Sequence, residues 1–376
     1  MIFCEETLPL FSPSYKGEIK IFIKWTIECA IEEAWLRFIK LSGESSFNRG
    51  LTLGKIIKDV CLHNLSFFEQ KLAEEGLTQE HGLRLALENE KVIARHFPEL
   101  LEEIRGIAEG TQLSYNSILL ETAFPFTANA SPKCTIISAF GTTATDGLPI
   151  VGRNYDFLSD FKKCNQFRIV RRKNRNFSFV GGTITILGVE EGLNNAGLFV
   201  GDAGWEPKVL PSSRGLSSRQ VMELVLENCD SVDAAIDFIH ESPKFANNVG
   251  TCYLLADKRE AAIIEMGVTQ SCLRKSEEGI LIASNVFLTS IAEEIKSPEP
   301  TAFARYNFAR KRLYENKGKV DDKFMRELLS DHGGSICAHN EINTIRSVIA
   351  YTNKRKMLVA DGHPCTAQFE EILIPT

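Results

Sequence analysis

Lys133-Cys134-Thr135-Ile136-Ile137-Ser138-Ala139-Phe140 and Pro149-Ile150-Val151-Gly152-Arg153-Asn154-Tyr155-Asp156-Phe157 are the two stretches from which the fold is read. Both are rich in β-branched and apolar residues, and Asp146-Gly147 between them is a hairpin turn signal. The spacing predicts two antiparallel strands from 134–140 and 149–157. A hairpin of that length returns the polar residues of the second strand to the first residue of the first. Cys134 thus opens a strand beside Arg153 and Asp156. Upstream, Thr127-Ala128-Asn129-Ala130-Ser131-Pro132-Lys133 is small, polar and Pro-containing, and reads as a loop.

This placement carries a specific chemistry. Were the Lys133–Cys134 bond cut, Cys134 would gain a free α-amine. Such an amine ordinarily has a pKa of about 7.7–8.0, so near neutrality it serves as general base for its own thiol. A carboxylate such as Asp156 can hold the amine, and a cation such as Arg153 favours the thiolate. Spacing alone equally allows an inert strand cysteine beside an unrelated Arg/Asp pair.

On the N-terminal side the chain reads as helical to about residue 125. Apolar residues recur at helical spacing over 19–40, 51–73 and 79–96. Pro98 opens a further helix that runs to Gly110, read as its C-cap. On the C-terminal side, strands are expected at 167–172, 177–186 and 197–202, and helices at 217–228 and 231–241. More strands follow at 250–256, 261–266, 271–275 and 279–285, then helices at 301–316 and 321–330. A strand pair, 344–350 and 356–360, closes the chain. This order is that of an α+β fold with mostly antiparallel strands.

The 376 residues carry a net charge of -6. The densest basic run, Arg171-Arg172-Lys173-Asn174-Arg175, is short and reads as a solvated hairpin, so no nucleic-acid surface is expected. Neither a secretory signal nor an apolar run of about 20 residues occurs, so the cytoplasm is expected, with no membrane span. The ten cysteines are scattered without a C-x-x-C pair, which suits free thiols in a reducing compartment.

The ordered set of motifs resembles the acyl-coenzyme A:6-aminopenicillanic acid acyltransferase family (the C45 peptidase-like group), and is similar to the choloylglycine hydrolases. Cys134-Thr135 followed by Gly152-Arg153-Asn154-Tyr155-Asp156-Phe157 carries the likeness first. Pro98 to Gly110 resembles the family's pro-region helix, and Gly192-Leu193-Asn194-Asn195-Ala196-Gly197-Leu198 its strand-turn. Ala283-Ser284-Asn285-Val286-Phe287 resembles an Asn-bearing strand end. Ser330 to His339 and Asp361-Gly362-His363-Pro364-Cys365 resemble the C-terminal signature.

The resemblance implies a four-layer α/β/β/α Ntn-hydrolase sandwich of two antiparallel sheets flanked by helices. It implies a mainly helical pro-segment, 1–133, and a catalytic chain, 134–376, released by autoprocessing. The implied activity is hydrolysis or transfer of acyl groups at linear amide or thioester bonds of small molecules. Cys134 is then the nucleophile, Asp156 the acid near the freed amine, Asn285 the side-chain donor of an oxyanion hole, and Arg153 an arginine beside the nucleophile. No cofactor is implied, and association between copies of the chain is left open. Two departures stand out: Lys133 occupies a position where the acyltransferases commonly have a small residue, and Val286 one where His is common.

Two rival readings exist. Cys337-Ala338-His339 and His363-Pro364-Cys365 offer the thiols and imidazoles of a zinc site, but C-x-H paired with H-x-C is not a common knuckle spacing, and no metal is expected. The other rival is an Ntn-fold protein that never cleaves itself and only binds a ligand or partner.

Overall fold

The computed structural model describes residues 36–43, 45–74, 76–123, 133–172, 175–205, 208, 215–244, 246–268, 270–276, 278–298 and 300–375. Residues 35–376 make up one compact unit. Residues 19–35 of the expected 19–40 helix and residues 127–132 of the expected 127–133 loop lie outside the described residues.

The chain opens on β1 (Arg37–Gly43), followed by α1 (Ser46–Ile56), α2 (Lys58–Glu74), α3 (Gln79–His96), α4 (Pro98–Thr111) and α5 (Tyr115–Ala123). Next come β2 (Thr135–Ala139), β3 (Ile150–Leu158), β4 (Gln166–Arg172), β5 (Phe179–Thr183), β6 (Glu191–Asn194), β7 (Phe199–Asp202) and the short β8 (Leu216–Ser217). Then follow α6 (Ser218–Asn228), α7 (Val232–Glu241), β9 (Ala246–Asn247), β10 (Thr251–Ala256), β11 (Ala261–Met266), β12 (Ser271–Arg274) and β13 (Ile280–Ala283). The chain closes with α8 (Pro300–Glu315), α9 (Asp322–Leu329), β14 (Ile342–Tyr351), β15 (Lys356–Asp361) and β16 (Phe369–Leu373).

Eight strands form one sheet in the order β1-β4-β5-β6-β7-β10-β11-β12, and six form the other, β13-β2-β3-β14-β15-β16. Every pairing within them is antiparallel except β1 with β4. Strand alternation sorts the six-stranded sheet into two faces. Ile136, Val151, Tyr155 and Val348 point at the eight-stranded sheet and share a core with Phe179 and Val200. Ile137, Ala139, Ile150 and Ile349 point the other way, against Ala309 and Leu313 of α8 and Phe324, Met325 and Leu328 of α9. On the far side of the eight-stranded sheet, Asn194 donates to the carbonyls of Leu226 (2.9 Å) and Cys229 (2.7 Å), which fastens α6 there. This is the expected α/β/β/α sandwich. No helix among the described residues is long and apolar enough to cross a membrane.

Several local expectations are corrected. The end of the expected 19–40 helix is strand: Phe38, Ile39, Lys40 and Leu41 alternate exposed and buried, a period of two, and pair in parallel with β4. The 51–73 helix breaks at Ile57, and α1 begins earlier behind its Ser45 cap, which accepts from Asn48 N–H. The strand expected at 177–186 is only Phe179–Thr183, and β16 extends the final strand pair.

Gly110 is not a cap. It lies inside α4, whose last turn is closed by Gln112 at φ 60°. With Gly106 it faces Gly50 and Gly54 of α1, so that the two helix backbones touch. A Cβ on Gly54 would stand 2.5 Å from the Ile107 carbonyl oxygen.

Of the basic run at 171–175, Arg171 is exposed as expected, but Arg172 and Arg175 are not simply solvated. Arg172 is largely covered and pairs with Glu103 (2.8 Å), Glu223 (2.7 Å) and Glu227, and Arg175 pairs with Glu99 and Glu227. These arginines therefore tie α4 and α6 to the sheet. Burial alone would weaken the Arg172 charge, but Glu103 and Glu223 outweigh it and raise its pKa.

Candidate active site

The β2–β3 register sets Thr135 opposite Asn154 and Ile136 opposite Arg153. Lys133 N–H donates to the Asp156 carbonyl at 3.4 Å, so the pairing continues past Cys134. Alternation then turns the Cys134 side chain inward, to the face of Ile136 and Arg153, between the two sheets. The thiol is buried, and Arg153 Nη2 donates to its Sγ at 3.6 Å. Burial raises the Cys134 pKa, and the Arg153 charge opposes that rise.

Arg153 is fully buried. Its Nε lies 3.3 Å from Glu191 Oε2, its Nη2 3.3 Å from Asp202 Oδ1, and its Nη1 donates to the Glu190 carbonyl. Burial would lower its pKa, but Glu191, Cys134 and Asp202 together raise it, so the guanidinium stays charged. Arg346 binds the other side of Glu191, with Nε 2.6 Å from Oε1, and also reaches Glu190 at 3.2 Å. A buried charge survives only when paired in this way. The cation beside the thiol is therefore held by carboxylates of β6 and β7 and by the backbone carbonyl of Glu190 just before β6.

Asp156 points to the opposite face of β3. Its Oδ1 accepts from Thr344 Oγ1 at 2.6 Å, and its buried Oδ2 has no partner among the described residues. Burial pushes its pKa up to about 7, against the pull of Thr344, Arg305 and Arg153. A carboxyl so placed has one oxygen in reserve for a donor.

Asn285 follows β13 and is held at φ 65°, a left-handed conformation that asparagine tolerates better than most residues. Its Nδ2 donates to the Gly204 carbonyl at 2.7 Å, which leaves the second amide hydrogen for another acceptor. Its Oδ1 accepts from Arg305 Nη2 at 3.1 Å, and Arg305 Nη1 donates to the Cys134 carbonyl at 2.6 Å and to Thr135 Oγ1 at 2.8 Å. All four residues expected from sequence thus belong to one constellation. Cys134 and Arg153 meet directly, Asp156 lies on the other face of β3 with its backbone bonded to Lys133, and Asn285 joins Cys134 through Arg305.

Arg305, Glu191, Asp202 and Thr344 were not singled out from sequence. For Arg305 a signal exists: with Ala302, Ala309 and Leu313 it occupies the buried stripe of α8, where a charge needs a partner. The partners of Glu191, Asp202 and Thr344 lie on other strands, and no local pattern marks them.

The family model for acyl-coenzyme A:6-aminopenicillanic acid acyl-transferase matches residues 142–364, more than half of the chain. The matched span contains Arg153, Asp156, Asn285 and Arg305 and begins just after Cys134. No curated protein matches the chain. Among solved structures, the chain is similar to penicillin V acylase from Agrobacterium tumefaciens, at 13% identity and TM-score 0.40 over 61% of this chain and 83% of that one. It is similar to a variant of conjugated bile acid hydrolase from Clostridium perfringens, at 12% identity and TM-score 0.44 over 64% of this chain and 92% of that one. The N-acylethanolamine-hydrolyzing acid amidase orthologue of Caenorhabditis elegans gives 17% and 0.44 over 58% and 93%. Through the matched span, which takes in Ser330 to His339 and reaches Pro364 in the last signature, this chain belongs to the acyl-coenzyme A:6-aminopenicillanic acid acyl-transferase family.

Proposed function

We propose that the protein is a self-processing cysteine amidase or N-acyltransferase whose nucleophile is Cys134, freed as a new N-terminus by cleavage after Lys133. The observation that carries this reading is the pair of groups flanking Cys134: a buried guanidinium at its thiol, and the unpartnered Oδ2 of Asp156 on the strand alongside. An internal cysteine has no α-amine. Once the amine exists, Asp156 Oδ2 is the acceptor that holds it.

Cleavage starts with attack of the Cys134 thiol on the Lys133 carbonyl carbon. The C–N bond breaks as the amine of Cys134 takes the thiol proton, leaving a thioester. Water hydrolyses that thioester, which restores the thiol and ends the upstream fragment in a Lys133 carboxylate. In turnover the α-amine takes the thiol proton, and the thiolate attacks the substrate carbonyl. Asn285 Nδ2 and a backbone N–H receive the oxyanion, each such donor contributing about 2.7–4 kcal/mol. The amine then protonates the leaving group, and the acyl-enzyme passes its acyl group to water or to a second amine.

The upstream fragment stays bound after cleavage, because β1 pairs with β4 and α4 is ion-paired to Arg172. The substrates are small N-acyl amides or acyl thioesters. Incubation with a panel of such compounds, followed by mass spectrometry, tests the reading. It predicts a transient acyl adduct on the peptide that begins with Cys134. Undiminished turnover by Cys134→Ala would overturn it.

A further inference from the structure

Outside the acyl-transfer site, four potential ligands converge: His332, Cys337, His339 and Cys365, whose ligating atoms all lie within 4.8 Å of one another. Cys337 Sγ is 3.8 Å from Cys365 Sγ, and each sulfur is 3.3 Å from His339 Nε2. His339 Nε2 is 3.1 Å from His332 Nε2. We propose that these four side chains form a structural zinc site that staples the loop after α9 to the turn between β15 and β16.

The distances decide the chemistry. With Zn–S of about 2.3 Å and Zn–N of about 2.0–2.1 Å, a tetrahedron has S···S edges of about 3.8 Å, S···N edges of about 3.5 Å and an N···N edge of about 3.3 Å. The four separations given above fall on or slightly inside these edges, and the two from His332 to the sulfurs lie within 4.8 Å, so the exposed His332 ring closes in slightly to complete the tetrahedron. The sulfurs are too far apart for a disulfide, whose S–S bond is about 2.05 Å. Hydrogen bonding does not account for the cluster either. His339 Nε2 faces two thiols and a second imidazole nitrogen, and a neutral ring carries at most one proton there. A divalent cation at the centre draws all four donors at once, and a mixed thiolate and imidazole set in tetrahedral array suits zinc.

Sequence spacing pairs Cys337 and His339 with His363 and Cys365, and from that pattern no metal is expected. The fold replaces His363 with His332. The His363 ring instead stacks on His339, with centroids 3.9 Å apart and planes 9° from parallel, and its Nε2 sits 3.1 Å from Asn343 Oδ1. Such outer contacts fix the orientation of a ligating imidazole.

The staple has a purpose in this fold. Ala338 N–H, between two of the ligands, donates to Thr344 Oγ1 at 2.9 Å, and Thr344 in turn binds Asp156. The Ile336 carbonyl accepts from Asn154 Nδ2 at 2.9 Å. The loop braced by the cation thus braces β3 at Asp156.

The test uses the full chain, purified from zinc-supplied cells in the presence of a thiol reductant and without chelator. Elemental analysis should find one zinc per chain. Cobalt exchanged into the site should give the strong visible absorption of tetrahedral thiolate coordination. Cys337→Ser/Cys365→Ser should lose the zinc and melt at lower temperature. If that variant does not fold, His332→Ala decides, because an exposed ligand can be removed without opening the core: zinc affinity should fall by about tenfold or more. Folded wild type that retains no zinc and gives no cobalt spectrum would overturn the proposal. So would undiminished zinc in the double variant, or unchanged affinity in His332→Ala.

Discussion

Arg305 Nη2 donates to Asn285 Oδ1 at 3.1 Å while Nη1 of the same guanidinium grips the Cys134 carbonyl at 2.6 Å. One buried side chain therefore sets the amide plane of Asn285 and the position of the Cys134 backbone. Asn285→Ala removes the proposed oxyanion donor. It should lower kcat by about 10²–10³ with KM nearly unchanged. Near-normal turnover in steady-state assays of that variant would remove Asn285 from the mechanism.

Arg305→Lys tests the positioning itself. A lysine keeps the charge but lacks the planar fork that serves Asn285, Cys134 and Thr135 together. Each buried acceptor left without a donor costs about 1–3 kcal/mol. Denaturant unfolding should show a loss of at least that size, and kcat should fall with it. A variant equally stable and equally active would show that the bridge has no such role.

Asp156 gives a pH prediction. Its folded pKa, pushed up to about 7 by burial, exceeds the ordinary 3.8, so the uncleaved chain takes up a proton there on folding. Stability from this group is present at low pH and is lost as pH rises from about 4 to about 7. In an uncleaved Cys134→Ala background, adding Asp156→Asn should therefore raise the melting temperature more at pH 8 than at pH 5. An equal effect at both pH values would contradict the shift. In the Cys134 chain, Asp156→Asn should impair both maturation and turnover.

The α1–α4 contact can be tested by Gly106→Ala. In an open helix this change stabilises by about 0.8–1 kcal/mol. Here the new methyl would press on the Phe47 carbonyl, well inside van der Waals contact. Overpacking of this kind costs about 1–3 kcal/mol, so thermal melting should show a net loss. A gain would mean that the helices separate without penalty.

The β2–β3 hairpin was legible because its signals are local: alternation, a DG turn and a thiol at the strand start. Cys134, Arg153 and Asp156 followed from motifs placed on that hairpin, and Asn285 from the motif at the end of β13. β1 was not legible, since a parallel edge strand depends on β4, far along the chain, and its residues continue a run with helical spacing. Arg172 reads as surface from its neighbours, yet three glutamates from α4 and α6 surround it. Asp202, Thr344 and the exchange of His363 for His332 arise where distant elements meet, and such meetings leave no periodic trace.

Cleavage between Lys133 and Cys134 is the central claim, and N-terminal sequencing of the active protein, with its intact mass, tests it most directly. Wild type should give a sequence beginning Cys134-Thr135-Ile136, and two associated fragments of about 15 and about 27 kDa, the 42.0 kDa chain divided by length. Cys134→Ala should remain a single 42.0 kDa chain. Turnover of an amide or thioester substrate by protein in which Cys134 is still joined to Lys133 would contradict the account.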